Sequence, residues 1–185
     1  MAKKSSSTGK SPLVALSIVV LAIPIVFVLF IVLDSSKNEA SSEKVLSGSD
    51  VNIDDGFLGE RGMSLQAEGD SVYIDEALVS DGDMESFNYY SEKDDKNVYF
   101  FIVKASDGTY RAAASACEVC YGTKKGFEQV GDKIICNNCG TTYSKDQIAL
   151  QKGGCNPRPI GSDVTVENGK LALNVSDIEA SAELF

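Results

Sequence analysis

Apolar residues gather in two kinds of stretch along this chain. Leu13 to Leu33 is a 21-residue run broken only by Ser17 and Pro24. At about 1.5 Å per residue it reaches roughly 30 Å, the thickness of a bilayer core. It predicts one transmembrane helix, in which Pro24 is tolerated. From about residue 70 the pattern changes to short alternations with the strand period. Val72 and Ile74 flank Tyr73, and Phe87 to Tyr90 forms a second candidate strand. Val98 to Val103 reads V-Y-F-F-I-V, apolar on both faces, and predicts a central strand covered on both sides.

Turn residues divide these strands. Asp107-Gly108 predicts a hairpin whose second strand is Thr109 to Ala114. That strand is rich in alanine, leaving room either for another backbone or for a bulky neighbour. Phe127 to Val130 and Lys133 to Cys136 flank Gly131-Asp132, a pair suited to a type II′ turn. Val164 to Glu167 and Lys170 to Val175 flank Asn168-Gly169, a type I′ signature that sets Glu167 opposite Lys170. Ser144 and Gln147 have capping-box spacing, predicting a short helix through about Leu150 that Gly153-Gly154 can end. Ser176 is a candidate cap for a short terminal helix.

The remaining segments are polar. Residues 1–12 read as a disordered cytoplasmic tail. Residues 34–66 are rich in Ser, Asp, Glu and Gly and read as a flexible tether, with a short ordered patch at Phe57 and Leu58. The expected organisation is a tail at 1–12, a transmembrane helix at 13–33, a tether at 34–66 and a cysteine-rich metal-binding domain at 67–185. The expected fold class is mainly β with a minor α component.

Charge orients this arrangement. The formal net charge is -10. Lys3, Lys4 and Lys10 precede the apolar run, and every acidic residue follows it. The positive-inside rule therefore places the N-terminus in the cytoplasm and the acidic domain outside the cell membrane, as a single-pass protein. A cleaved signal peptide is the competing reading. The run is longer than a usual signal h-region, and no A-x-A site directly follows. The acidic balance also argues against nucleic acid as a partner, since phosphate recognition needs a basic footprint.

Histidine is absent. Its absence excludes Ser-His-Asp and Cys-His catalysis, a c-type haem attachment and a Rieske centre. A soft-metal site in this chain has to be built from sulfur. All five cysteines lie between Cys117 and Cys155. Cys117/Cys120 and Cys136/Cys139 are two C-x2-C pairs separated by a 15-residue spacer, and Cys155 follows alone in G-G-C-N-P. A C-x2-C knuckle curls the backbone so that two thiols converge, and two knuckles joined by a hairpin make a zinc-ribbon-like four-sulfur site.

Structural disulfides compete with this reading, because the domain is expected in an oxidising compartment. Five is odd, however, and a C-x2-C disulfide closes too small a loop to stabilise much. A redox dithiol prefers a helix start, whereas Gly140 after the second pair suits a knuckle turn. Sulfur-only ligation is compatible with an iron–sulfur cluster or iron, with zinc as the alternative. Cys117, Cys120, Cys136 and Cys139 are the candidate ligands. Cys155 is a fifth ligand or a nearby redox sulfur.

The same stretch resembles a known family. The residues are A-S-A-C-E-V-C-Y at 114–121, Lys125-Gly126-Phe127, Gly131-Asp132, Cys136-x2-Cys139-Gly140 and G-G-C-N-P-R-P at 153–159. They resemble the FtrD-like membrane iron–sulfur-containing proteins found with iron transport permeases, over roughly residues 70–175. The resemblance implies an extracytoplasmic iron–sulfur domain that carries electrons or handles metal during iron uptake. It also implies an iron permease and redox proteins as partners, and a carrier more than an enzyme with its own substrate. A structural zinc-ribbon binding module and a membrane-tethered thiol–disulfide oxidoreductase stand as alternatives.

Overall fold

The computed structural model describes residues 55–161 and 164–185. The predicted tail and transmembrane run lie outside the described residues. Among the described residues, no helix is long and apolar enough to cross a membrane.

Among the described residues, eleven strands form three sheets, and one strand links the two cores. The first sheet has the order β1 (Met63–Leu65), β4 (Glu85–Ser91), β5 (Lys96–Lys104) and β6 (Tyr110–Ala114). The β1–β4 pairing is parallel and the others are antiparallel. In β5 every residue from Asn97 to Val103 is buried. Strand alternation sends its side chains to opposite faces. Val98, Phe100 and Ile102 enter one apolar cluster, with Val72, Ile74 and Leu171. Phe101 and Val103 enter a second cluster, which contains Cys117, Cys120 and Cys136. The double covering expected of V-Y-F-F-I-V is thus observed, and one of the two covers is the cysteine region.

The second sheet covers the first face. Its order is β10 (Thr165–Glu167), β11 (Lys170–Asn174), β3 (Ser71–Asp75) and β2 (Ala67–Glu68). The Asn168-Gly169 turn has φ of 53° and 76°, both positive as a type I′ turn requires, and Glu167 pairs with Lys170. The α-helix α1 (Val175–Glu179) follows and buries Ile178 in the same cluster. Its cap position is Asn174, so Ser176 lies inside the helix instead of starting it.

The third sheet ends its middle strand on Cys136: β7 (Phe127–Val130), β8 (Lys133–Cys136) and β9 (Thr142–Ser144), in that order. Gly131 has φ of 62°, as the first central position of the predicted II′ turn demands. The Ser144–Gln147 capping box forms, but it starts only a 3-10 turn over Lys145–Gln147. Ile148 is already extended and fully buried beneath the cysteine cluster, which stops the turn short of Leu150.

Two features of the packing bear on the site. Within residues 55–66 of the stretch read as tether, the ordered patch expected at Phe57 and Leu58 is seen at Phe57, while Leu58 is exposed. Phe57 is buried and stacks on Tyr99 with centroids 4.0 Å apart, and Met63–Leu65 forms β1. The small side chains of β6 admit another backbone. Ala113 bridges Pro159, Ala114 N–H donates to Arg158 O at 2.8 Å, and Ile160 N–H donates to Ala112 O at 3.0 Å. The segment after Cys155 is thereby fixed along the strand that leads into Cys117.

Candidate metal centre

Each C-x2-C pair folds as the same local turn. In the first, Cys117 Sγ accepts from the Cys120 backbone N–H at 3.2 Å, and Cys117 O accepts from Tyr121 N–H at 3.0 Å. In the second, Cys136 Sγ accepts from the backbone N–H groups of Cys139 and Asn138, and Cys136 O accepts from Gly140 N–H at 2.9 Å. Gly140 leaves the turn with φ of 73°, the left-handed conformation glycine permits at least cost. The register of the β7–β8 hairpin, with Phe127 opposite Cys136, brings the second turn back beside the first.

The sulfurs converge. Cys120, Cys136 and Cys139 place their Sγ atoms within 4.8 Å of one another. Cys117 and Cys155 lie outside this trio, and each neighbours one of its members, Cys117 beside Cys120 and Cys155 beside Cys139. No two of the five are bonded as a disulfide. Cys117, Cys120 and Cys136 are buried, Cys155 is half-buried and Cys139 is exposed. The centre therefore has a closed side under β5 and an open side at Cys139.

The Cys155 loop is a tight turn. Gly153 and Gly154 have φ of 94° and 62°, and Asn156 Nδ2 donates to Gly153 O at 3.0 Å. The Tyr143 hydroxyl donates to Cys155 O at 2.6 Å. Other polar groups face the sulfurs directly. Asn138 Nδ2 donates to Cys120 Sγ at 3.3 Å, and the Thr141 hydroxyl lies 3.2 Å from Cys139 Sγ.

These surroundings separate the thiols electrostatically. Burial pushes Cys136 up to about 11. Burial also raises Cys117, and partial burial with the neighbouring Cys139 raises Cys155. Cys139 is drawn down to about 6, chiefly by the hydroxyl and backbone N–H of Thr141. Burial, followed by the charge of the surrounding thiols, pushes Tyr143 up to about 12.

Sequence reasoning named all five cysteines but missed Asn138, Thr141 and Tyr143. Asn138 and Thr141 were visible as donors inside and just after a C-x2-C turn. Tyr143 had no local signal, because it meets Cys155 only through the position of β9. Lys124, in the loop between the two knuckles, donates to the Asp55 backbone carbonyl.

The fold and site define a mainly β protein without histidine, in which Cys120, Cys136 and Cys139 form a cluster that could hold a metal ion. The family model for FtrD-like membrane iron–sulfur-containing proteins matches residues 79–185, more than half of the chain, and the chain belongs to that family. No curated protein and no solved structure matches the chain significantly.

Proposed function

We propose that this chain is a membrane-anchored, extracytoplasmic iron–sulfur protein that carries electrons in support of iron uptake. Cys117, Cys120, Cys136 and Cys139 would hold the centre, with Cys155 as a fifth ligand or an adjacent sulfur. The donor set fits such a group, since iron–sulfur centres are held by cysteine thiolates and sulfur is the only soft donor that clusters here. When bound, the centre would supply one-electron chemistry. The chain's own residues hold the sulfurs, shield Cys117 and Cys136 beneath β5, and leave Cys139 at the surface.

The observation that supports this reading is a fifth thiol beside the cluster. Cys155 sits against Cys139 on a loop fixed by Tyr143 and Asn156. A structural zinc site is complete with four thiolates and gains nothing from such framing. Hydrogen bonds to the sulfurs, such as those from Asn138 and Thr141, are among the groups that set a cluster's potential.

A scaffolding zinc centre is the second reading. Four thiolates at about 2.3 Å from one zinc stand roughly 4 Å apart. The 4.8 Å trio is near that scale. Cys155→Ser in anaerobically prepared full-length protein separates the two. Electron transfer at this centre predicts a changed visible absorption or reduction potential. An unchanged, colourless, zinc-loaded variant contradicts it.

A further inference from the structure

Arg158 is the one charged residue buried among the described residues, at 8% exposure. Its position relates it to both ends of the sulfur centre. Its backbone N–H donates to Ala116 O at 3.1 Å, immediately before Cys117. Its Nη2 donates to Glu118 Oε1 at 3.3 Å, immediately after Cys117. Arg158 thus touches the first knuckle on both sides of its first cysteine, and it does so from the segment that carries Cys155.

Glu118 completes the connection. A Cβ built on Gly153 would lie 3.5 Å from Glu118 Oε2, so the carboxylate sits over the start of the Cys155 turn. Gly153 and Arg158, which bracket Cys155 in sequence, therefore both meet one side chain of the first knuckle. The other nitrogen, Arg158 Nη1, donates to Ala180 O at 3.1 Å and to Glu183 Oε1 at 2.6 Å. Its Nε is buried with no hydrogen-bond partner among the described residues. Two carboxylates and a carbonyl hold the fork, and an arginine stays charged when buried.

We propose that Arg158 is the positioning residue of the sulfur centre. It clasps the Cys155 turn to the first knuckle through Glu118 and so fixes Cys155 relative to Cys117. A metal held between the two parts loses affinity when they are free to move apart, so holding them together favours the loaded state. This inference rests on the metal-binding reading above.

The test is cobalt(II) binding by the full-length chain in detergent under anaerobic conditions, read from the thiolate-to-metal absorption. Loss of an outer partner of a metal ligand costs about 10–100-fold in affinity. Arg158→Gln and Glu118→Gln are each expected to weaken cobalt binding by about tenfold or more on that basis. Arg158→Lys, which keeps the charge but not the fork, should fall between Arg158→Gln and wild type. Glu183→Gln removes the shorter ion pair and loosens only the C-terminal segment, so its affinity should stay close to wild type despite a lower melting temperature. Equal losses in Arg158→Gln and Glu183→Gln would reduce Arg158 to a structural tie and overturn the proposal. Unchanged affinity in Arg158→Gln would overturn it too, while leaving the metal centre standing. A wild-type chain that takes up no cobalt would instead defeat the metal-binding reading, and this inference with it.

Discussion

Tyr143 donates its hydroxyl hydrogen bond to the backbone carbonyl of Cys155 at 2.6 Å, tying β9, an edge strand of the third sheet, to the residue that carries the fifth sulfur. Nothing local in the sequence joins these two residues, which are twelve positions apart. Tyr143→Phe keeps the ring and removes the bond. A single hydrogen bond of this kind contributes about 1 kcal/mol. The expected result is a small drop in melting temperature with markedly faster amide exchange across residues 153–156. Unaltered exchange there would mean that the loop holds Cys155 without Tyr143.

The open side of the centre predicts an order of thiol reactivity. The thiolate is the nucleophile, so alkylation follows pKa and exposure. In metal-free, reduced protein, Cys139 should alkylate first, with a midpoint near its folded value of about 6. Cys136, pushed up to about 11 by burial, should stay unreactive at neutral pH. Thr141→Val should move the Cys139 midpoint upward. The linkage follows from the sign of the shift. The folded value lies below the unfolded one of about 8.5, so the Cys139 thiolate contributes stability above that pH. This contribution is lost as pH falls through about 6. Metal affinity should weaken over the same acidic range, because ligation requires the thiolate.

Local chemistry was legible in the sequence, and assembly was less so. The D-G, G-D and N-G turns, the doubly apolar β5 and both knuckles could be read because each depends on neighbours in the chain. The parallel β1–β4 pairing could not, since β1 is only Met63–Leu65 inside a polar stretch and gains its place from contact with Phe87 to Tyr89. The stack of Phe57 on Tyr99 was hidden for the same reason. The alanines of β6 left two outcomes open, and the Arg158–Ile160 backbone decided between them. The five cysteines were legible as a set. Their arrangement as a buried group with an exposed edge at Cys139 depends on the third sheet packing under β5.

The division of β5 between two clusters predicts separable core mutations. Phe101→Ala and Leu171→Ala each remove a fully buried side chain. Each is expected to cost about 2–5 kcal/mol of stability by denaturant unfolding. Only Phe101 belongs to the cluster with Cys117, Cys120 and Cys136. Phe101→Ala should therefore also expose Cys117 to alkylation under native conditions, whereas Leu171→Ala should not. Equal exposure of Cys117 in both variants would mean that the two clusters unfold as one.

The charge asymmetry about residues 13–33 predicts the topology. Protease added to intact cells should digest the cysteine-rich domain and spare the lysine-bearing tail. Protection of the domain would reverse the orientation and remove the oxidising surroundings assumed for its thiols.

The most direct test of the central claim is the metal and acid-labile sulfide content of anaerobically purified full-length protein, taken with its visible spectrum. An iron–sulfur centre at Cys117, Cys120, Cys136, Cys139 and Cys155 predicts iron and sulfide together, with absorption that a reductant bleaches. A colourless protein holding a single zinc and no sulfide would contradict the electron-transfer account and leave a structural zinc module in its place.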